Sequence, residues 1–460
     1  MRDILFLALL PLMLYAMAKR PFIGLGMWIW TAMFFPNAWM YGFGASLRYN
    51  LIFTGVAIVS YLCLKEKPRV SFGALGALVM LFFFWTTIST ATTIGIPTVA
   101  WDIWVRFMKV IALFIFVVLI MDKKLHVDFF LWCVVLSIGF YAGLEALKYV
   151  ASGGGHMIAG FAGHVLGDRN ELAVAFVMTL PICAYLLGQH AGDKLIRIGL
   201  LGLMGLIVTA IIGTQSRGGF IAMLGLAAYM FIKSDRKILI GVLAVALVVA
   251  LSSLVPPEWT SRMDTIGTAS QDASFMGRVV AWKMSFILAS HHPFFGGGFK
   301  ALETSFVWSQ LGTEFLNYSF FYSGDELPHP TTAKAAHSVY FQVMGEHGFA
   351  GLLIYLTMLF TAFRKARKIG VLAKKHDAPQ WIRSLSTMML LCIFAFCLGG
   401  AALSFAYFEL IYAIFGMIVV VESRILPAAL AEKRRLQEAQ EAQAVSTAAG
   451  QRLPEQGLAS

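Results

Sequence analysis

The sequence predicts an all-α polytopic membrane protein of about twelve transmembrane helices, with one large loop on its outer face. Three observations carry that prediction. Hydrophobic residues make up 59% of the 460-residue chain and charged residues 13%, a balance that no soluble domain can hide in one core. Apolar runs near the ~20 residues needed to cross a bilayer recur from end to end. Short basic clusters separate them, and residues 256–336 form the single long polar interruption.

Taken in order, the apolar runs lie at 3–18, 21–37, 50–64, 72–92, 99–120, 127–149, 170–188, 195–212, 218–233, 238–255, 338–363, 381–401 and 403–422. Only Lys19, Arg20 and Pro21 part the first two, so the pattern leaves open whether residues 1–37 cross once or twice. No small-residue cleavage site follows Met1–Asp3, so the first segment is expected to stay in the membrane. Basic clusters fall at 65–69, 122–126, 193–197, 233–237, 364–368, 374–375 and 432–435, which the positive-inside rule makes cytoplasmic. Alternation then places 38–49, 93–98, 150–169, 213–217 and 256–336 outside, in the periplasm of a Gram-negative cell. The expected organisation is an N-terminal bundle (1–255), a large periplasmic loop with amphipathic helices (256–336), C-terminal helices (337–425) and a cytoplasmic, partly disordered tail (426–460). The net charge of +11 sits largely in connecting loops, which suits topology and contact with anionic membrane lipid, with no nucleic-acid partner. All five cysteines lie inside apolar runs, away from any histidine at metal-ligand spacing.

The informative residues are charges on the outer side, where the positive-inside bias opposes them. Arg217 stands in GTQSRGG, a tight turn whose glycines let backbone N–H groups approach a ligand; an interfacial snorkelling anchor is the alternative. Arg169 lies in GHVLGDRNELA, where Asp168 or Asn170 can cap the following helix and the arginine can pair with Asp168 or Glu171. Arg278 falls in SFMGRVVAWKMSFIL, which reads as an amphipathic helix lying in the interface. Phe275, Val279, Trp282 and Phe286 share one face of it, suited to lipid or core packing, with Trp282 also a candidate substrate contact. Two guanidinium forks, Arg217 and Arg278, would suit a diphosphate better than ammonium groups. The same loop carries Arg262, Lys283, His291, His292, Lys300, His329 and Lys334.

His337 opens an apolar run after a polar stretch, and a positive helix end would keep its imidazole neutral, as a general base requires. Glu346 comes nine residues later, ~13 Å deeper at helical rise and on the opposite face, which makes it a poor immediate partner. With His347 it is a buried ionisable group expected to pair with neighbouring helices. The pair His291–His292 lacks the remaining ligands of a zinc site, and no carboxylate cluster on the outer side could hold Mg²⁺ or Mn²⁺. No metal or other cofactor is expected.

In their order, FAGHVLGDRNELA, the SRGG turn, GRVVAWKMS, HPFFGGGF and HSVYFQVMGEHGFAG resemble the O-antigen ligase and polymerase superfamily over roughly residues 1–425. The closest likeness is to the O-antigen ligases, including the exosortase-associated O-glycosylation ligases, which open with a similar MRD start and RRP-like step. The resemblance implies a GT-C-like membrane glycosyltransferase, with undecaprenyl-diphosphate-linked glycan as donor and a sugar hydroxyl of the lipid A core as acceptor. By position His337 matches the family's base, and Arg217 and Arg278 match arginines that bind the diphosphate. Arg169 matches a looser polar motif. A polymerase acting on another lipid-linked repeat, or a ligase that glycosylates protein, shares this chemistry. A transporter is the reading from another class; it would want charges at mid-membrane on broken helices, whereas here they crowd the outer rim.

Overall fold

The computed structural model describes residues 2–233, 237, 273–320 and 332–450. The expected span at 238–255, together with Arg262 and His329, lies outside the described residues. All regular structure among the described residues is helical. Among the described residues eight helices are long and apolar enough to cross a membrane: Gly73–Ala91, Pro97–Ile120, Lys124–Ala151, Arg169–Gln189, Lys194–Gly213, Val339–Lys375, Gln380–Gly400 and Glu409–Ala444. Three shorter apolar helices, Pro21–Phe34, Tyr49–Leu62 and Arg217–Ile232, stand beside them. The protein is a multi-pass membrane protein.

At the N-terminus the two adjoining runs become separate helices, Arg2–Lys19 and Pro21–Phe34, because Pro21 takes the first helical position, where a missing N–H costs nothing. They fold back on each other. Asp3, at the start of the first, accepts a hydrogen bond from the Tyr41 N–H just past the end of the second, and Phe6 meets the Tyr49 ring edge-on.

The Arg169–Gln189 helix is the axis of the bundle. It is apolar around its whole circumference, so residues 172–183 are all buried, with Gln380–Gly400, Lys194–Gly213 and Arg217–Lys233 packed about it. Small residues set the spacing. A Cβ on Gly399 would fall 2.5 Å from Val174, and one on Gly219 would fall 2.4 Å from Ala173, so these helices approach more closely than larger side chains would allow.

Basic residues of the clusters at 122–126, 364–368 and 432–435 meet at one end. There Arg424 donates to the Val118 and Met121 carbonyls, Lys365 pairs with Glu422, Lys433 reaches the Asp377 carbonyl, and Lys124 sits over the Trp381 ring. The tail continues as helix through Gly450, since its Ala, Glu, Lys and Gln residues are all strong helix formers. The helices that begin at Arg169, Arg217 and Val339 start at the opposite end.

The Ala273–His291 helix carries the amphipathic stretch around Arg278. Of the two roles open to its apolar face, core packing holds: the helix packs against Val339–Lys375 and, with residues 301–315, encloses a second small core of Val280, Met284, Leu288, Leu302, Trp308 and Phe315. Lys283 is fully buried in it, its Nζ 4.1 Å from the Phe315 ring centre. Apolar periodicity is the same whether the face meets lipid or protein, so the pattern alone could not separate the two cases.

Candidate functional site at the outer rim

Two turns that are far apart in sequence are stitched together at the end of the bundle opposite the basic residues. Asp168 caps the Arg169–Gln189 helix, its Oδ1 accepting the Asn170 N–H at 2.7 Å. Ser216 caps the helix starting at Arg217 by accepting the Gly219 N–H at 3.1 Å, and its own hydroxyl donates to Asn170 Oδ1 at 2.8 Å. Gln215, just before, holds a left-handed φ of 53° that turns the chain sharply into that helix. Arg169 and Arg217 therefore leave adjoining helix starts, both half-buried, with Arg169 Nη1 3.4 Å from the Met157 sulfur.

His337 is set by its backbone conformation and two hydrogen bonds around it. Its backbone is left-handed at φ 46°, its N–H donates to Ser404 Oγ at 2.9 Å, and the preceding Ala336 carbonyl accepts the Trp282 indole N–H at 2.9 Å. Trp282 is stacked on Phe341 at 5.2 Å, one turn into the following helix. The tryptophan thus holds the chain on both sides of His337, which is the job its geometry shows.

The His337 imidazole reaches solvent, yet the protein packed about it and the Arg278 cation hold its pKa below the ordinary 6.5, with Lys334 adding to the effect. Asp168 and Glu303 oppose them. That balance shows Asp168, Arg278, Glu303, Lys334 and His337 standing in one electrostatic neighbourhood. Lys334 comes close to the Arg278 helix as well, since a Cβ on Gly277 would lie 2.9 Å from its Nζ. Arg278 and His337 therefore lie within electrostatic reach of each other, as does Asp168, which the Asn170–Ser216 bond ties to the turn bearing Arg217.

Beneath this cluster the two motifs HPFFGGGF and EHGFAG are the two halves of one junction. The Val339–Lys375 helix breaks at Gly348, whose φ of 74° and ψ of −178° belong to a region only glycine occupies freely. The break would strand backbone groups, and residues 293–298 satisfy them. Gly297 and Gly298 N–H groups donate to the Gly345 and Glu346 carbonyls at 2.9 Å, while the Pro293 carbonyl accepts the Phe349 N–H at 2.8 Å. Trp85 Nε1 bridges the Phe294 and His347 carbonyls. Contact is so close that a Cβ on Gly296 would lie 2.5 Å from the Glu346–Gly348 backbone.

Glu346 and His347 pair with neighbouring elements, as expected of buried ionisable groups. Glu346 Oε1 accepts the Lys300 N–H at 3.0 Å and Oε2 lies 2.5 Å from Tyr407 Oη; His347 reaches Ser89 and Tyr407, each at 2.8 Å. Glu346 is also nearer the histidine's surroundings than helical rise implied. It lines a small pocket, about 10 Å³, with Ala336, Ser404, Lys300 and Glu303, because residues 332–337 are not helical and curl back over the helix start. Ser404, Tyr407 and Ser89 carry no motif, and all three lie inside runs that read as apolar spans. His291 of the histidine pair is bound to Glu314 at 2.8 Å. Among the described residues no group of three or more His, Cys, Asp or Glu side chains is arranged to hold a metal ion.

Residues 202–356, which include Arg217, Arg278, Trp282, His337 and the glycine junction, match the family described as O-Antigen ligase. Residues 1–191, which include Arg169, match a family of unknown function. A search of curated proteins found no match.

Proposed function

We propose, from the match of residues 202–356 to the O-Antigen ligase family, that this chain transfers a glycan from undecaprenyl diphosphate to a sugar hydroxyl of the lipid A core, on the periplasmic leaflet of the bacterial inner membrane. The observation that carries this reading is the grouping of Arg278 and Lys334 around an exposed His337 at the end of the bundle opposite the basic clusters. His337, kept neutral by the protein packed about it and by the Arg278 cation, takes the proton of the acceptor hydroxyl. The acceptor oxygen bonds to the anomeric carbon as the bond to the diphosphate oxygen breaks, in one inverting displacement with no covalent enzyme intermediate. Arg217 and Arg278 offset the negative charge that grows on the departing diphosphate, with Arg169 contributing at the rim. No step calls for a metal ion. Trp282 serves this chemistry by holding Ala336, and so His337, in place.

The test is direct transfer by purified protein. Lipid-linked glycan and lipid A core are incubated with wild type and with His337→Ala, and products are followed by gel shift. Donor binding that survives in His337→Ala while transfer is lost supports a group needed in the transition state. Wild-type rates from His337→Ala would remove histidine from the mechanism. Transfer only to a lipid-linked repeat, or only to protein, would replace the acceptor with that of a polymerase or a protein O-oligosaccharyltransferase. No covalent transfer with any of these acceptors would favour transport.

A further inference from the structure

Below the rim, the broken helix holds a line of polar groups whose hydrogens can be counted. Ser89 Oγ lies 2.6 Å from the Phe295 carbonyl, 2.7 Å from the Glu346 carbonyl and 2.8 Å from His347 Nδ1. Carbonyls only accept, so the single serine hydrogen goes to one of them and His347 Nδ1 must donate to the serine. On the other side of the ring, Nε2 is 2.8 Å from Tyr407 Oη, which is 2.5 Å from Glu346 Oε2. Tyr407 has one hydrogen for these two partners. If it goes to His347, Glu346 must supply the hydrogen of the last contact. If it goes to Glu346, the histidine carries a second proton and is a cation.

Surroundings decide between the two arrangements. His347 is fully buried, and the Phe82 and Phe299 rings meet it at close to a right angle, 5.8 and 4.8 Å between centres. No anion touches it. An imidazolium and a carboxylate separated by a tyrosine would each lose hydration without direct contact to compensate, a costly way to bury charge. The neutral arrangement satisfies every donor and acceptor in the line at no such cost. Lys300, with its ammonium 3.0 Å from Glu303, and Glu303 itself are the charged groups whose fields reach Glu346.

We infer that Glu346 is held as a neutral, protonated acid that ties the Lys300 backbone to Tyr407, and that it acts as a positioning residue for the outer site. One oxygen accepts the Lys300 N–H; the other carries the proton given to Tyr407. Lys300 is left-handed at φ 56° and heads the short turn Ala301–Glu303, so fixing its backbone fixes Glu303, whose charge bears on His337. The kinetic part of the test rests on the transfer reaction proposed above, and the spectroscopic part does not.

Glu346→Gln is the discriminating substitution, because an amide reproduces the neutral acid: its oxygen accepts from Lys300 and its NH₂ donates to Tyr407. Transfer by Glu346→Gln should stay within a few-fold of wild type, whereas Glu346→Ala should lose about 100-fold, the scale for a misplaced site. Equal losses in the two variants would overturn the inference, as a true base or carboxylate would be needed. In infrared difference spectra, wild type minus Glu346→Gln should show the C=O stretch of a protonated carboxyl group, and its absence would also overturn it. Failure of Glu346→Gln to fold counts against it too, since the amide keeps every contact. If wild type transfers glycan to no acceptor, the reaction fails while the spectrum still decides the protonation of Glu346.

Discussion

Gly348→Ala tests the junction on which the outer site rests. At φ 74° and ψ −178° an alanine costs about 1–3 kcal/mol in backbone strain alone. Its Cβ would stand 2.5 Å from the Pro293 carbonyl oxygen and 2.7 Å from that of Phe294, so residues 293–298 must move away. Three hydrogen bonds are then at risk, Phe349 to Pro293, Gly297 to Gly345 and Gly298 to Glu346, at about 1 kcal/mol each. The sum is about 4–6 kcal/mol, comparable with the whole stability of a modest domain. Melting in detergent should show a large drop, and hydrogen exchange should show the Gly297 and Gly298 amides opening first. Gly202→Ala is the control. It sits inside the Lys194–Gly213 helix with nothing within 4 Å of its Cβ, so it should be neutral or stabilise by up to about 1 kcal/mol. Gly348→Ala melting with wild type, or Gly202→Ala doing equal harm, would refute the account of the break.

Replacing Arg217 or Arg278 with Ala should slow transfer about 100-fold or more, with Lys restoring only part of it, as measured by single-turnover transfer; full activity of both Arg278→Ala and Arg278→Lys would return that residue to a structural role. Since the His337 pKa lies below 6.5 and the neutral ring is the active form, the rate should hold through neutral pH and fall only on acidification below that value. Arg278→Gln removes a cation that disfavours the protonated ring, so in the residual activity the acid limb should move to higher pH, and an unmoved limb would uncouple the two residues. Transfer should persist in EDTA, and loss that Mg²⁺ or Mn²⁺ restores would reveal an unrecognised metal site. In a variant lacking native cysteines, an impermeant thiol reagent applied to spheroplasts should label a cysteine at Thr313 and spare one at Lys374; the reverse pattern would invert the topology.

What the sequence determined by itself follows from forces that act along the chain. Bilayer thickness sets the length of an apolar run, and basic flanks set its orientation, so helix positions and the gathering of charge at one end could be read residue by residue. Arg169, Arg217 and Arg278 could be singled out for the same reason, as charges on the side that the positive-inside rule disfavours, and His337 because it opens an apolar run after a polar stretch. The tertiary structure decided everything that depends on which faces meet. Apolar periodicity cannot distinguish lipid from a second core, and so the Ala273–His291 helix proved buried. Helical rise cannot see a left-handed turn, and so Glu346 came to share a cavity with Ala336 and Ser404. The glycines of HPFFGGGF and EHGFAG were visible as motifs, but that each exists to admit the other's backbone, at contacts of about 2.5 Å for an added Cβ, is a property of two segments meeting. A hydrogen bond between residues 258 apart, as between Ser89 and His347, leaves no local signal, because the geometry that makes it exists only once the chain has folded.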